Sequence, residues 1–259
     1  MRAAFFGGIY NNWIGLEGAL ADARARGAEE IFCLGDVGGF GPHPDRSIEL
    51  LRDSGVRMVQ GNYDDSVGNQ REDCGCGYTD PRDNHFARIS YAYTLGKTSA
   101  AHRPWLAGLP RSLQVDAEGR RLVLVHGSPR QQNEFLWETT APDAFLERLC
   151  EQSSADVLLC THTGLHWQRR LPSGRRVVNV GALGRPANDG RTCVWYALLD
   201  TSDVEAPFRF IPLGYDHARL AREMREERLP EEFVETILTG WWTTCLEVLP
   251  AKERLRGHY

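Results

Sequence analysis

Four apolar runs in this chain each lead into a side chain that can hold a metal ion. Ile31-Phe32-Cys33-Leu34 runs into Gly35-Asp36, Val56-Arg57-Met58-Val59 into Gly61-Asn62, Leu122-Val123-Leu124-Val125 into His126-Gly127, and Val157-Leu158-Leu159-Cys160 into Thr161-His162-Thr163. Short apolar runs bounded by turn residues read as buried parallel strands. In open α/β sheets ligands gather in the crevice outside the carboxyl ends of the strands, so Asp36, Asn62, His126 and His162 are candidates to meet there. A carboxylate, a carboxamide and two imidazoles suit Zn, Mn, Fe or Ni rather than Ca or Cu(I). Taken singly, each residue has a plainer reading: Asp36 as a turn cap, Asn62 as a turn residue, and the two histidines as satisfied core groups. Recurrence at four strand ends favours the metal.

The elements that must position these residues can be read from hydrophobic spacing. Residues 2–6 read as a strand, and Asn12 caps a helix carrying Leu16, Ala19, Leu20 and Ala23 at helical spacing. Pro42-His43-Pro44-Asp45 opens a second helix, with Ile48, Leu50 and Leu51, which Gly55 closes. This βαβαβ alternation predicts a parallel sheet with right-handed crossovers. Residues 66–80, rich in Gly and charge and containing Cys74-Gly75-Cys76, read as a functional lid or mobile loop. Helices are expected at 83–93 and 98–106, and at Thr140-Ala141-Pro142-Asp143 another begins. Strands are expected at 122–125, 157–160, 165–171, 176–180, 193–199 and 208–212. The expected class is α/β: a sandwich of two sheets flanked by helices, spanning residues 1–214. Residues 215–259 read as a helical appendage. Its charged stretch is a solvated, ion-paired face, and a helix restarted by Pro230 carries Phe233, Ile237 and Trp241 along one stripe. That stripe, with Trp242, is expected to pack on the core; a homodimer contact is the alternative reading.

Composition narrows the function. A chain of 259 residues with 42% hydrophobic side chains can bury a substantial core without staples. A net charge of −5 with 25% charged residues leaves no basic footprint, which disfavours a nucleic-acid partner. The apolar start at residues 3–6 is too short for a signal-peptide core, and no run reaches membrane-span length, so no membrane partner is expected. Seven cysteines, with Cys33, Cys160 and Cys193 inside strand-like runs, suit reduced thiols in a cytoplasmic protein.

In order, Gly35-Asp36, Gly61-Asn62-Tyr63-Asp64, Val125-His126-Gly127-Ser128-Pro129, Cys160-Thr161-His162-Thr163 and Asn179-Val180-Gly181-Ala182 resemble the calcineurin-like metallophosphoesterase family, most closely its compact bacterial phosphodiesterases and phosphatases. The resemblance implies a two-sheet α/β sandwich and metal-dependent hydrolysis of a phosphomonoester or phosphodiester, a nucleotide ester included. It places the family's bridging aspartate on Asp36 and the remaining ligands of its second metal on Asn62, His126 and His162. The family's opening Asp-x-His is here Gly8-Ile9-Tyr10, and the last His of its Gly-His-Thr-His is Gly164, so the donors exclusive to the first metal are missing. A one-metal site is therefore implied, holding one divalent or ferric ion. The family's proton-donating His falls on Tyr63, which with Asp64 makes the catalytic pair of candidates. Tyr10 either offers a phenolate to a ferric ion, as in purple-acid relatives, or fills the volume of the missing metal. Cys74 and Cys76 either reach the site as thiolates, form a redox pair, or serve separately from it. His166, Arg130 and Arg185 are candidate substrate-binding residues. The leading expectation is a hydrolase of a small phosphorylated substrate. Its rivals are a pseudoenzyme that kept the crevice as a ligand- or metal-binding regulatory module, and a redox sensor using the two loop cysteines.

Overall fold

The computed structural model describes residues 1–255. Its first half alternates as the spacing predicts: β1 (Arg2–Phe6), α1 (Trp13–Ala25), β2 (Glu30–Cys33), α2 (Pro44–Asp53) and β3 (Arg57–Met58). The Asn12 side chain caps α1 by accepting from the Gly15 N–H, and Pro44 opens α2, where no N–H is needed. Three helices follow: α3 (Asn62–Gly68), α4 (Pro81–Lys97) and α5 (Arg103–Ala107). Then come β4 (Ser112–Ala117), β5 (Arg120–Val125), α6 (Asp143–Ser153), β6 (Val157–Cys160), β7 (His166–Arg170), β8 (Arg176–Val180), β9 (Val194–Asp200) and β10 (Phe208–Leu213). The helices α7 (His217–Glu226), α8 (Glu231–Thr239) and α9 (Ala251–Arg254) complete the described chain.

The strands form two five-stranded sheets, ordered β10-β9-β1-β2-β3 and β4-β5-β6-β8-β7. β1, β2 and β3 run parallel, as do β5, β6 and β8. Side-chain alternation then divides the burial between faces. Ala3 and Phe5 meet Leu122, Leu124, Val157, Leu159 and Val178 in a core between the sheets. Ala4 and Phe6 turn the other way, onto Leu16, Ile48 and Leu51 of α1 and α2. Val123, Val125, Leu158 and Cys160 pack outward on Leu146 and Leu149 of α6. In the inter-sheet core Phe5 stacks on Phe32 with ring centroids 5.2 Å apart, and burying each such ring stabilises the fold by about 1.5–3 kcal/mol. The architecture is the predicted two-sheet sandwich flanked by helices. Its sheets close tightly at the carboxyl edge: a Cβ on Gly7, just past β1, would lie 1.7 Å from the Gly181 carbonyl oxygen, so only glycine fits there.

Several local expectations are corrected. β9 and β10 do not extend the second sheet but return to the first, β9 pairing antiparallel with β1. β4 went unread because it is an edge strand whose exposed Ser112, Gln114 and Asp116 dilute its apolar side. The supposed loop at 66–80 is shorter, since α3 starts at Asn62 and takes in Ser66 to Gly68. The helix expected over 98–106 is confined to α5, which starts at Arg103, while α4 runs on to Lys97. α8 stops at Thr239 because Gly240 turns left-handed at φ 76°, which takes Trp241 off the helical stripe. Phe233 and Ile237 stay on it and are buried with Phe40 and Phe86. The general expectation of free thiols fails at one pair: Cys74 and Cys76 are joined in a disulfide, while Cys33, Cys150, Cys160, Cys193 and Cys245 are free. Among the described residues no helix is long and apolar enough to cross a membrane.

Candidate metal centre

The parallel strands of both sheets end at one edge, and the turns there are cross-tied. The Asp64 carboxylate accepts the N–H groups of Asp36 and Val37, both at 2.9 Å, and of Gly61 at 2.8 Å, which clamps the turn after β2 to the turn after β3. Asp36 Oδ1 accepts the Tyr63 N–H at 3.0 Å, and a Cβ on Gly61 would fall 2.2 Å from that same oxygen. In the second sheet the Thr161 N–H donates to the His126 carbonyl at 2.8 Å. Asp36 and His162 both sit in the left-handed region, at φ 57° and 65°, a conformation that costs non-glycine residues about 1–3 kcal/mol and persists only where surrounding bonds enforce it. Here the Asp64 clamp supplies the enforcement at Asp36.

Asp36, His126 and His162 are buried, and each brings a donor atom within 4.8 Å of the other two. His126 Nδ1 lies 2.6 Å from the Leu34 carbonyl, which can only accept, so Nδ1 carries a proton. Its other nitrogen, Nε2, faces inward, 3.2 Å from Asp36 Oδ2 and 3.0 Å from His162 Nδ1. Donor atoms bound to one ion at about 2.0–2.1 Å stand about 3.0–3.4 Å from one another, and the two separations at His126 Nε2 fall in that range. Asn62 Nδ2 donates to the Cys74 carbonyl at 2.8 Å, while its Oδ1 is buried without a hydrogen-bond donor. An orphaned buried acceptor is costly unless something electrophilic meets it. His162 Nε2 also lacks a hydrogen bond of normal geometry, lying beside the Cys76 backbone. Burial, reinforced by the neighbouring His126 charge, pushes the His162 imidazole down to about 3, so it is neutral and ligand-ready at neutral pH. For His126 burial pulls the pKa down, but the Asp36 carboxylate and its hydrogen bond carry it above the ordinary value. Burial likewise raises Asp36, yet the two histidines hold it below the usual carboxylate range. Asp36, His126 and His162 fit a transition-metal ion.

The remaining candidates fall in different places. Tyr63 donates its hydroxyl proton to Ser90 Oγ at 3.0 Å, and burial pushes its pKa further up, which makes it a poor general acid. Asp64 has both oxygens occupied by backbone N–H groups; burial and the Asp36 charge push its carboxyl up to about 7 against those donors. Its geometry is that of a positioning residue rather than one meeting substrate. The Tyr10 ring covers Gly8, where a Cβ would lie 2.4 Å from its Cε1 and Cζ, and burial drives its pKa away from the phenolate. Of the two readings for Tyr10, this matches filling of volume. As a disulfide, Cys74 and Cys76 offer no thiolate. Their double replacement by serine should leave metal content at the wild-type level, measured by elemental analysis, because Asn62 is held by a backbone carbonyl of that loop; loss of the ion would show that the bridge is part of the site. Arg130 pairs with Glu134 and stacks on Phe145, and His166 stacks on Trp195 at 4.3 Å; neither lines the cavity that holds Asp36 and His162, although Arg130 lines a second cavity together with His126. Arg185 does line the cavity that holds Asp36 and His162.

This cavity, about 50 Å³, has a polar end formed by Asp36, His162 and Arg185 and a wall of rings from Tyr10, Phe40, Tyr63, Tyr78, Phe86 and Phe233. Tyr78, Phe86, Ser90, Phe233 and Cys245 were not singled out as site residues from sequence. They come from the loop, α4, α8 and the tail, and no motif marks them.

Comparison with known proteins agrees with this geometry. A family model for the calcineurin-like phosphoesterase superfamily domain matches residues 11–204. An uncharacterised protein of Methanocaldococcus jannaschii is 25% identical over 247 residues, covering 90% of this chain and 95% of that one. The crystal structure of a metallophosphoesterase from Sphaerobacter thermophilus is 26% identical, with a TM-score of 0.70 over 93% of this chain and 99% of that chain. A hypothetical protein from Pyrococcus horikoshii shares the fold at 23% identity, with a TM-score of 0.76 over the same shares, 93% and 99%. The chain belongs to the calcineurin-like phosphoesterase superfamily, metal-dependent hydrolases that act on ester bonds.

Proposed function

We propose that this chain hydrolyses a small phosphate ester at a single-metal site, with one divalent ion held by Asp36, Asn62, His126 and His162. The observation that carries the reading is the convergence of the buried Asp36, His126 and His162 donors, with His162 Nδ1 and Asp36 Oδ2 lying 3.0 and 3.2 Å from His126 Nε2; the unpartnered Asn62 Oδ1 is the fourth donor that the reading adds. When bound, such an ion acts as a Lewis acid on a phosphoryl oxygen and lowers the pKa of a coordinated water. The chain's own groups prepare that chemistry. The Leu34 carbonyl fixes the His126 tautomer and Asp64 fixes the Asp36 turn.

The opposite half of the site supports one ion rather than two. Gly8 and Gly164 offer no donor, and the space beside them holds the Tyr10 ring, Trp242 and Arg185. Because the Tyr63 proton is engaged by Ser90 and Asp64 is saturated, neither of these two candidates is placed to protonate a poor leaving group. Aryl phosphates, with good leaving groups, should therefore turn over faster than alkyl phosphates. The test is metal content after reconstitution with Mn, Fe, Zn or Ni, followed by a screen of aryl and alkyl mono- and diesters. One ion per chain and turnover that depends on it are expected. Two ions per chain, or no turnover with any metal, would sink the single-metal hydrolase, the second result leaving a binding module.

A further inference from the structure

Arg185 is a charged group of the cavity to which the metal reading gives no part in holding the ion. It follows the β8 turn and is only 7% exposed. Its guanidinium carbon sits 3.4 Å from the centroid of the Trp242 ring and about 6 Å from the rings of Tyr10 and Phe40, at 5.8 and 6.0 Å. Trp242 is itself pinned: its indole N–H donates to the Pro186 carbonyl at 2.7 Å, and its backbone N–H to Asn188 Oδ1 at 2.8 Å. Arg185 Nε is buried with no hydrogen-bond partner, and among the described residues the guanidinium forms no ion pair. Other arginines of the chain behave differently: Arg2 holds Asp200, Arg130 holds Glu134 and Arg191 holds Asp189.

A guanidinium stays charged at any pH the protein survives, so burial cannot be relieved by losing a proton. Stacking on Trp242 offsets only part of the burial penalty, which leaves a cation awaiting an anion. That cation faces the cavity carrying Asp36 and His162. The planar donor fork matches the oxygens of a tetrahedral oxyanion.

We propose that Arg185, oriented by Trp242 of the C-terminal segment, is the phosphate receptor of the site, binding the non-bridging oxygens of a phosphate group beside the metal donors. The proposal rests on the phosphoester reading above, and it makes the C-terminal segment part of the substrate site. Inorganic phosphate titrated calorimetrically into the reconstituted full-length protein tests it. Arg185→Gln should weaken phosphate binding by about 10–100-fold, the loss of hydrogen bonds to a charged group, while metal content stays at the wild-type level. Arg185→Lys, which keeps the charge but loses the fork, should fall between; it also decides the matter if the glutamine variant does not fold. Trp242→Phe should weaken phosphate less than Arg185→Gln. Unchanged phosphate affinity in both arginine variants would overturn the proposal, as would release of the metal in step with the phosphate. The two readings fail separately. A protein that holds one metal yet binds phosphate independently of Arg185 sinks only this one. A protein that binds phosphate through Arg185 but takes up no metal sinks only the single-metal site.

Discussion

Asp36→Asn should strip the metal from the site, with affinity falling by at least about 100-fold, more than the loss of an outer partner costs, and ester hydrolysis dropping to background. The asparagine can keep the Tyr63 N–H bond through its own oxygen, which preserves the turn at Gly35 and Gly61. Its amide N–H₂ would then point where Asp36 Oδ2 lies, 3.2 Å from His126 Nε2. Two effects follow. The only anionic donor among the three buried groups is gone, and an N–H donor now competes for the lone pair of His126 that the Leu34 carbonyl had aimed inward. The change is therefore local, and the metal-free variant should melt within a few degrees of the metal-free wild type. Elemental analysis and turnover of an aryl phosphate, measured side by side, check it. A variant with full metal content would place the ion elsewhere, and turnover that survives unchanged would belong to a contaminant.

Much of this was legible in the sequence, for a reason specific to the fold. Parallel strands buried on both faces are written as short apolar runs, and the residue after each run must lie at the sheet's carboxyl edge. Asp36, Asn62, His126 and His162 stand in such positions, and the donors of Asp36, His126 and His162 do converge. Nothing comparable encodes the cavity wall. Tyr78 from a loop, Phe86 from α4 and Phe233 from α8 are brought together across long sequence separations, and each reads in isolation as an ordinary apolar residue. Arg185 was legible as a candidate from its place after β8, but its stacking on Trp242, without a carboxylate partner among the described residues, was not, because Trp242 arrives from a distant segment. β9 and β10 illustrate the same limit: their strand character is local, whereas the choice of sheet is settled by the pairing of β9 with β1. Asp64 is the sharpest case, since the motif supplied the residue and suggested a catalytic role, while the three N–H groups it accepts come from two turns that only the folded chain brings side by side.

That distinction gives the second large effect. Asp64→Ala leaves the N–H groups of Asp36, Val37 and Gly61 buried and unpaired, and at about 1–2 kcal/mol for each the variant should lose about 3–6 kcal/mol of stability. For a chain of this size that corresponds to a melting temperature lower by about 10 °C or more. Asp36, released from the clamp that holds it at φ 57°, should relax toward ordinary backbone, and metal affinity should fall by about 10–100-fold. Asp64→Asn keeps an oxygen for the two donors that share Oδ2, from Asp36 and Gly61, and loses the Val37 bond, so it should lie between alanine and wild type on both measurements. Excess metal should raise the melting temperature of the weakened variants, because an ion that binds only the folded state restores stability by mass action. A catalytic Asp64 would behave in the opposite way. Its asparagine variant would then lose turnover at saturating metal while melting and metal affinity stayed at wild-type values, and that result would return Asp64 to the reacting groups.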